Sequence, residues 1–417
     1  MLWYHLQSAF GLAVLVLIAF ALSENRQAFS WRLVSSGIAL QIAVALVFLG
    51  FPPARDALFS LNAVVDALSA ATRAGTSFVF GYIGGGDAPF EISAPQNVTS
   101  LAFQALPLVI VMSALSALFW YWKILLVIVK GLSVLLQKAM GLGGAVGLGT
   151  AANLFLGMIE APLLIRPYLS RLTRSELFML FTVGLATVAG TVMVLYASIL
   201  GPAVPGALGH ILVASFISLP AAIVVAKLMV PGEQATPADA HMAVEYRSSM
   251  DAITRGTEDG LRLYLGIVAM LIVMVALIAL ANIMIGNLPA LGGEPISAQR
   301  IFGWLFAPLV WLYGVPLEEA AAAGSLMGTK TILNEFIAYL DLANLPEAVL
   351  SPRSTLIMLY AMCGFANLGS VGIMIAGVSN MVPERRDEIV ELSLKALVSG
   401  TLATGMTGAV IGMMPFL

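Results

Sequence analysis

The chain has 417 residues, of which 60% are apolar and only 10% are charged, and its mean hydropathy is +0.96. A typical soluble domain is about 25% charged, and a soluble fold this apolar would lack the polar surface to cover itself, so the composition indicates an integral membrane protein. The net charge is −3 and the sequence has no cluster of basic residues, so it lacks the positive surface that nucleic-acid binding requires. The single cysteine, Cys363, excludes an intrachain disulfide.

A layout with eight transmembrane spans fits the apolar runs of the sequence, given that a spanning helix needs about 20 residues. The first run follows no lysine or arginine, so we interpret it as a retained span and not as a cleaved signal. A weakly amphipathic segment, 55–74, predicts a helix along the membrane interface. The eight predicted spans are about 9–23, 32–50, 100–120, 175–200, 205–228, 261–290, 355–380 and 392–414.

Two further segments, 140–168 and 318–342, are apolar but broken by polar residues such as Glu160, Lys330 and Glu335. Such segments are tolerated at membrane depth only where they line a cavity or are buried in protein. They therefore predict re-entrant hairpins. The predicted fold class is an all-α integral membrane protein with eight transmembrane helices, two re-entrant helical hairpins in an inverted repeat, and an interfacial helix.

Most lysine and arginine residues fall on one side of this layout, and both termini fall on the other. The positive-inside rule then places both termini outside the cell. The layout divides the chain into N-terminal spans with the interfacial helix, a scaffold span with a connector, a first transport repeat, a cytoplasmic linker with a scaffold span, and a second transport repeat. In the same order, these five regions are residues 1–99, 100–139, 140–230, 231–316 and 317–417.

The two transport repeats resemble each other in sequence. The heptapeptide SELFMLF from Ser175 is similar to STLIMLY from Ser354, and each copy follows a predicted hairpin. The copies enter the membrane from opposite sides, which is typical of secondary transporters with a midplane substrate site. Chance similarity between helices rich in leucine, alanine and glycine is the alternative.

Glu160 and Glu335 are carboxylate residues at membrane depth, where burying a charge costs free energy. A carboxylate at a helix centre costs about 2.5–3.5 kcal/mol, so each indicates a functional site unless it pairs with an arginine such as Arg166. Asn367 and Ser370 add neutral donors and acceptors, which together with the carboxylates could bind a solute rich in hydroxyl groups. Phe365 could stack on a ring, although a single aromatic residue is more often part of the packing. Asn367 could instead form an ordinary interhelical hydrogen bond.

Asn153 and Thr187 indicate a separate cation site. Asn153 ends the first arm of the first predicted hairpin, and Thr187 lies between Gly184 and Gly190, where glycines favour local unwinding. Freed carbonyls with one amide and one hydroxyl oxygen would suit Na⁺. A proton carried by one of the two membrane-depth carboxylates is the alternative.

Three motifs in order resemble the concentrative nucleoside transporter family: GMIEAPLLIRPY from Gly157, NEFIAYL from Asn334 and CGFANLGS from Cys363. The likeness runs from about Arg26 to the C terminus. It implies a homotrimer among membrane lipids that imports nucleosides by an elevator movement driven by Na⁺ or H⁺. We expect a multi-pass protein of the cell's inner membrane, with Na⁺ as the coupling ion and no organic cofactor.

The resemblance also implies roles for single residues. Glu335, Asn367 and Ser370 look like ribose ligands, and Glu160 looks like the first-hairpin carboxylate near ribose and base. The other implied positions are the apolar walls Phe365 and Val192, the Na⁺ side-chain ligands Asn153 and Thr187, and the Na⁺ carbonyl ligands Leu156 and Val188.

Met158 and Ile159 depart from the family pattern. Most members have Gln-Thr there, and those side chains hydrogen-bond the nucleobase, as the resemblance implies. Gly157-Met158 and Thr191-Val192 are similar to the purine-preferring branch. The polarizable thioether of Met158 suits contact with a broad aromatic face, so we predict a modest preference for purine nucleosides. The alternative is that Met158 only packs against a neighbouring helix.

Three other functions compete with this prediction. A membrane-embedded enzyme acting on lipid phosphates would need clustered aspartates or a metal-spaced histidine pair, and the sequence has neither. A passive channel would need a continuous polar lining, whereas these polar groups concentrate on two hairpins and two spans. An H⁺-coupled symporter of broad or pyrimidine specificity is the nearest alternative.

Overall fold

The computed structural model describes residues 2–93, 98–232, 246–291, 295–346 and 348–415. This part of the chain forms eighteen α-helices and no β-strand. The helices are α1 (Leu2–Ala21), α2 (Trp31–Ala45), α3 (Pro52–Ser60), α4 (Asn62–Phe80), α5 (Leu108–Tyr121), α6 (Ile124–Met140), α7 (Gly144–Leu156), α8 (Glu160–Leu164), α9 (Arg174–Ala186), α10 (Gly190–Leu200), α11 (Ala207–Met229), α12 (Ser249–Ile285), α13 (Ala298–Leu312), α14 (Ala320–Ile332), α15 (Glu335–Ala343), α16 (Pro352–Met362), α17 (Leu368–Met381) and α18 (Arg386–Gly412).

Seven helical stretches of the described chain are long and apolar enough to span a membrane. The predicted span 355–380 is not among them, because residues 363–367 divide it into α16 and α17. The predicted interfacial segment 55–74 likewise forms two helices, α3 and α4, instead of one. The seven stretches are Trp3–Ala21, Trp31–Gly50, Leu101–Tyr121, Arg174–Leu200, Ala207–Met229, Ser249–Ile285 and Pro383–Gly412.

Two helices are interrupted halfway, and the interruptions contact each other. The first break, 187–189, separates α9 from α10, and the second break, 363–367, separates α16 from α17. The Phe365 N–H donates to the Thr187 carbonyl across the two breaks at 3.3 Å. Gly364 permits this approach, since a β-carbon there would lie 2.9 Å from backbone atoms in the last turn of α9.

We expect Gly364→Ala to destabilise the protein by about 1–3 kcal/mol, because the new methyl group meets backbone atoms that cannot turn away. Gly372→Ala is the matched control, since a β-carbon at this exposed position in α17 would meet no atom within 4 Å. Thermal unfolding in detergent, together with nucleoside uptake, measures both variants. Equal stability of the two variants would contradict the close approach of the breaks.

Each segment predicted to form a hairpin contains a pair of helices, α7 with α8 and α14 with α15. In the first, α7 runs to Leu156, so the arm continues past Asn153, where the sequence predicted its end. Gly157 follows with φ +102°, a conformation that glycine adopts at little cost, and α8 begins at Glu160. In the second hairpin, the Asn334 side chain accepts from the N–H of Ile337 at 2.9 Å and caps α15.

Helix α13 lies along α14, and glycines bring the two backbones together. A β-carbon at Gly303 would lie 2.7 Å from the Ala321 carbonyl oxygen, and one at Gly328 would lie 2.2 Å from the Phe302 side chain. The predicted layout has no span or hairpin arm at 298–312, where α13 lies. The second hairpin is therefore supported along its first arm by an additional helix.

Helices α5 and α12 form a second close pair. A β-carbon at Gly256 would lie 2.8 Å from Ala114 Cα, and one at Gly260 would lie 2.8 Å from Ile110 Cα. No residue of α12 from 261 to 285 is buried, so this part of the helix leaves a large apolar surface uncovered. Part of the predicted cytoplasmic linker, residues 233–245, lies outside the described residues.

Polar contacts mark the two ends of the molecule. After α1, Glu24 accepts from Arg174 Nη2 at 2.9 Å, and this bond holds the pKa of Glu24 at about 2. At the opposite end of α1, the Arg353 guanidinium donates to the carbonyls of Tyr4 (3.3 Å) and Gly412 (2.6 Å). The first turn of α1 and the last residue of α18 therefore lie close together.

Candidate functional site

Glu335 is the centre of a buried polar cluster where hairpin 2 meets both broken helices. Its side chain begins α15 and is only 4% exposed. One carboxylate oxygen accepts from the Tyr196 hydroxyl of α10 at 2.6 Å, and the other accepts from Asn367 Nδ2 at 2.9 Å. Helix N-termini favour negative charge, so α15 itself helps to stabilise a carboxylate at this position.

Asn367 is held in one orientation by two bonds. Its Oδ1 accepts from the backbone N–H of Ser370 at 2.7 Å, which caps α17, while its Nδ2 donates to Glu335. Asn367 and Ser370 are both buried. A carboxylate has about four lone-pair positions, so Glu335 retains acceptor capacity beyond its two protein bonds. The structure thus brings together all three residues that the resemblance assigned to the ribose.

Glu160 occupies a different environment on hairpin 1. It is exposed, whereas Glu335 is buried, and it begins the short helix α8. A β-carbon built at Gly157 would lie 2.9 Å from the side chain of Ala189 in the first break and 3.0 Å from a Glu160 carboxylate oxygen. No ion pair in the described part of the chain joins Glu160 to an arginine, so the alternative of pairing with Arg166 is not supported.

The loop of hairpin 1 contacts both transport repeats. A β-carbon at Gly184 would lie 3.0 Å from Met158 Cβ, and one at Gly377 of α17 would lie 2.5 Å from Ile159 Cδ1. Both side chains are half-buried, which means that part of the predicted base-facing surface takes part in packing. The predicted apolar walls differ in burial, because Val192 is buried and Phe365 is half-buried.

Asn153 is the clearest indication of a ligand that the protein itself does not supply. It is 1% exposed, and neither its Oδ1 nor its Nδ2 has a hydrogen-bond partner among the described residues. The same holds for the Thr150 hydroxyl, one turn earlier in α7. Leaving a buried polar group without a partner costs about 1–3 kcal/mol, so such a group calls for an explanation.

These groups fit a Na⁺ ion. A β-carbon at Gly184 would lie 3.2 Å from Asn153 Nδ2, which places the amide against the last turn of α9, just before Thr187. The Thr187 hydroxyl donates to the Val183 carbonyl at 2.9 Å and therefore presents its lone pairs elsewhere. Val188 is buried and Leu156 half-buried, both beside these groups in sequence. Neutral oxygens around a helix break suit Na⁺.

The sequence did not point to two residues of this region, Tyr196 and Thr150. It also did not show that Lys330 is fully buried. A tyrosine inside an apolar span is a usable signal, since a buried phenol normally finds a hydrogen-bond partner. Its partner Glu335 is 139 residues away, and no local pattern identifies such a pairing. The sequence identified Lys330 as a polar residue of the second hairpin, but it gave no sign that the exposed fraction of this side chain is 0%.

Family profiles match almost the whole chain. The profile described as Na+ dependent nucleoside transporter N-terminus matches residues 10–83, the one described as nucleoside recognition matches 102–203, and the one described as Na+ dependent nucleoside transporter C-terminus matches 210–412. The matched segments include both hairpins and both breaks.

Relatives of the chain occur in bacteria and animals. An uncharacterized transporter of Haemophilus influenzae is 38% identical over 421 residues, covering 98% of this chain and 97% of that protein. The nucleoside permease NupC of Helicobacter pylori is 34% identical, covering 99% and 98% of the two chains. Sodium/nucleoside cotransporter 1 of Sus scrofa is 31% identical, covering 97% of this chain and 63% of that protein.

Solved structures of CNTnw are similar along the full length. One, in an inward-facing substrate-bound state, has a TM-score of 0.89 and 36% identity, and the match covers 98% of each chain. A CNTnw variant in an outward-facing state has a TM-score of 0.91 and 36% identity, with 99% of this chain and 98% of that chain covered. The similarity thus includes proteins captured in opposite orientations.

Proposed function

Since this chain belongs to the concentrative nucleoside transporter family, we propose that it imports nucleosides into the cell together with Na⁺. It is a multi-pass membrane transporter and not an enzyme. The observation that carries the proposal is the contact between the two breaks. One break offers acceptors and donors suited to ribose, the other offers oxygens suited to a cation, and a hydrogen bond joins Phe365 to Thr187.

The ribose is the part of the substrate that the buried cluster fits best. We propose that Glu335 accepts hydrogen bonds from ribose hydroxyl groups, while Asn367 and Ser370 supply further polar contacts. The support is the geometry around Glu335, which is buried and oriented by Tyr196 and Asn367. Sites that hydrogen-bond a hydroxyl strongly reject analogues without it, so free nucleobases are expected to be poor substrates.

Coupling follows from the position of Gly184. This residue is adjacent both to Met158, on the loop proposed to face the base, and to the Asn153 amide of the proposed Na⁺ site. Both proposed ligands would therefore bind against the same turn of α9, and we propose that each of them restricts its motion. A ligand that orders a segment lowers the entropic cost for a second ligand, and the effect on the two affinities is reciprocal.

We also propose an elevator movement within a homotrimer in the inner membrane. The α5–α12 pair would form the fixed scaffold, and the two hairpins with their broken helices would move. Support comes from the uncovered apolar surface of α12, which suits lipid or a second copy of the chain. Similarity to CNTnw in inward-facing and outward-facing states is consistent with such a movement.

Uptake of labelled nucleoside into proteoliposomes tests the proposed function. We expect uptake to require an inward Na⁺ gradient, to persist when a protonophore is added, and to be inhibited by nucleosides far better than by free bases. Choline in place of Na⁺ is the control. Uptake that is indifferent to Na⁺ but collapses with the protonophore would establish H⁺ coupling instead, and inhibition by uracil equal to that by uridine would contradict ribose recognition.

Base preference provides a separate prediction at Met158. A site without polar partners rejects an unsuitable base edge only weakly, so we expect adenosine and inosine to inhibit uptake better than uridine, without excluding uridine. Met158→Gln would add an amide and should shift the ratio toward pyrimidines. Competition of labelled adenosine uptake measures both proteins. Wild-type inhibition by uridine that equals inhibition by inosine would overturn the purine preference.

A further inference from the structure

Lys330 is a fully buried lysine that the proposed function does not use. It lies in the last turn of α14, the first arm of hairpin 2, and its exposed fraction is 0%. Its ammonium has no hydrogen-bond partner among the described residues. Buried charges in proteins are normally paired or bound to a counter-charge, so this ammonium calls for a functional explanation.

The first repeat provides the comparison that explains it. Helices α7 and α14 are the first arms of the two hairpins, and each has 13 residues. Asn153 lies in the last turn of α7 and packs against the end of α9, one turn before Thr187. Lys330 lies in the last turn of α14, and α14 packs against α16, the helix that ends at the second break. The two side chains thus lie in the last turns of corresponding hairpin arms, Asn153 as the tenth residue of α7 and Lys330 as the eleventh residue of α14.

The chemistry at these two positions differs in one respect. In the first repeat the side chain is a neutral amide with an unpartnered oxygen, which can receive a cation. In the second repeat the side chain is a lysine, which can itself carry a positive charge, and the carboxyl group of Glu335 follows five residues later at the start of the second arm. Like charges repel strongly where the dielectric is low, so an ammonium there excludes a soluble cation.

We propose that Lys330 is the built-in cation of the second repeat: it takes the place of a second Na⁺ and neutralises the Glu335 carboxylate. The inference rests on the proposed Na⁺ coupling of the first repeat. It implies that one Na⁺ accompanies each nucleoside. It also makes Lys330 a positioning residue, because it acts on the substrate through the charge and orientation of Glu335.

The coupling ratio tests this directly. Radioactive Na⁺ and labelled nucleoside are counted in proteoliposomes for the wild type, Lys330→Gln and Lys330→Arg. We expect a ratio and a Na⁺ Hill coefficient of about 1 for the wild type and Lys330→Arg, rising toward about 2 for Lys330→Gln, since Hill coefficients are limited by the number of sites. A ratio that stays at the wild-type value in Lys330→Gln would overturn the proposal.

Lys227→Gln is the matched control for loss of a partly buried lysine. Lys227 lies near the end of α11 and donates to the carbonyls of Met140 at 2.9 Å and Gly141 at 3.2 Å, away from both breaks. We expect its coupling ratio to equal that of the wild type. If Lys227→Gln raised the ratio as much as Lys330→Gln, the effect would not be specific to the second break and the proposal would fail.

A stability measurement covers the case in which Lys330→Gln does not fold. Thermal unfolding is compared for Lys330→Met, Glu335→Gln and the double variant. Removing one partner leaves an uncompensated buried charge, so we expect the double variant to be more stable than Lys330→Met alone. Strictly additive losses would overturn the charge pairing. This stability measurement needs no Na⁺. Wild-type uptake that is independent of Na⁺ would contradict the proposed Na⁺ coupling, whereas only the stability measurement decides whether Lys330 and Glu335 form a charge pair.

Discussion

Glu335→Gln is expected to weaken nucleoside binding roughly 10- to 100-fold, because a hydrogen bond to a charged group contributes about 1.5–3 kcal/mol. The variant keeps the shape of the side chain but replaces one acceptor oxygen by an NH₂ group. Tyr196 and Asn367 both donate to the present carboxylate. A glutamine cannot accept from both in the same way, so the orientation of the cluster is lost together with the charge.

Nucleoside binding by isothermal titration and initial uptake rates measure this effect. Glu318→Gln is the matched control, since Glu318 is an exposed carboxylate before the first arm of the same hairpin. It should bind and transport as the wild type does. Tyr196→Phe removes one donor while the carboxylate remains, and we expect a smaller loss than for Glu335→Gln. Wild-type affinity in Glu335→Gln would rule out the carboxylate as a ribose ligand.

Asn153→Leu is expected to abolish Na⁺-dependent substrate binding while leaving the fold at least as stable without Na⁺. The amide of Asn153 is buried and has no partner among the described residues, so an apolar side chain of similar size removes a desolvation cost. A ligand at ten times its dissociation constant stabilises the native state by about 1.4 kcal/mol. The wild type should gain this stabilisation from Na⁺, and Asn153→Leu should not.

Thermal unfolding at increasing NaCl, with choline chloride at matched ionic strength, separates the specific effect from screening. Gln41→Leu is the control, because Gln41 is another buried amide with an unpartnered oxygen but belongs to α2, outside both hairpins and both broken helices. It should keep the full Na⁺ response. Equal Na⁺ stabilisation of Asn153→Leu and the wild type would place the cation elsewhere.

The two hairpins could be predicted from sequence because their polar residues stand out against apolar surroundings. Glu160, Glu335 and Asn153 each carry a cost at membrane depth that only a cavity or a ligand can offset. The break after α9 was also predicted, from the glycines that flank Thr187. These features are local, so they can be recognised from the sequence without knowledge of the fold.

The rest depended on contacts between distant parts of the chain. Residues 363–367 are mostly apolar, so hydropathy predicted a continuous span where the structure has α16, a break and α17. The break exists because Gly364 packs on the end of α9 and Asn367 caps α17, and both contacts require the folded protein. The burial of Lys330 and its place in the second repeat depend on tertiary packing in the same way.

The most direct test of the central claim is the steady-state accumulation of labelled adenosine in proteoliposomes at zero membrane potential, measured against a series of imposed Na⁺ gradients. Each tenfold gradient supplies about 1.4 kcal/mol per ion, so coupling to one Na⁺ predicts that accumulation rises about tenfold for each tenfold gradient. Accumulation that remains at the external concentration for every Na⁺ gradient would contradict the account.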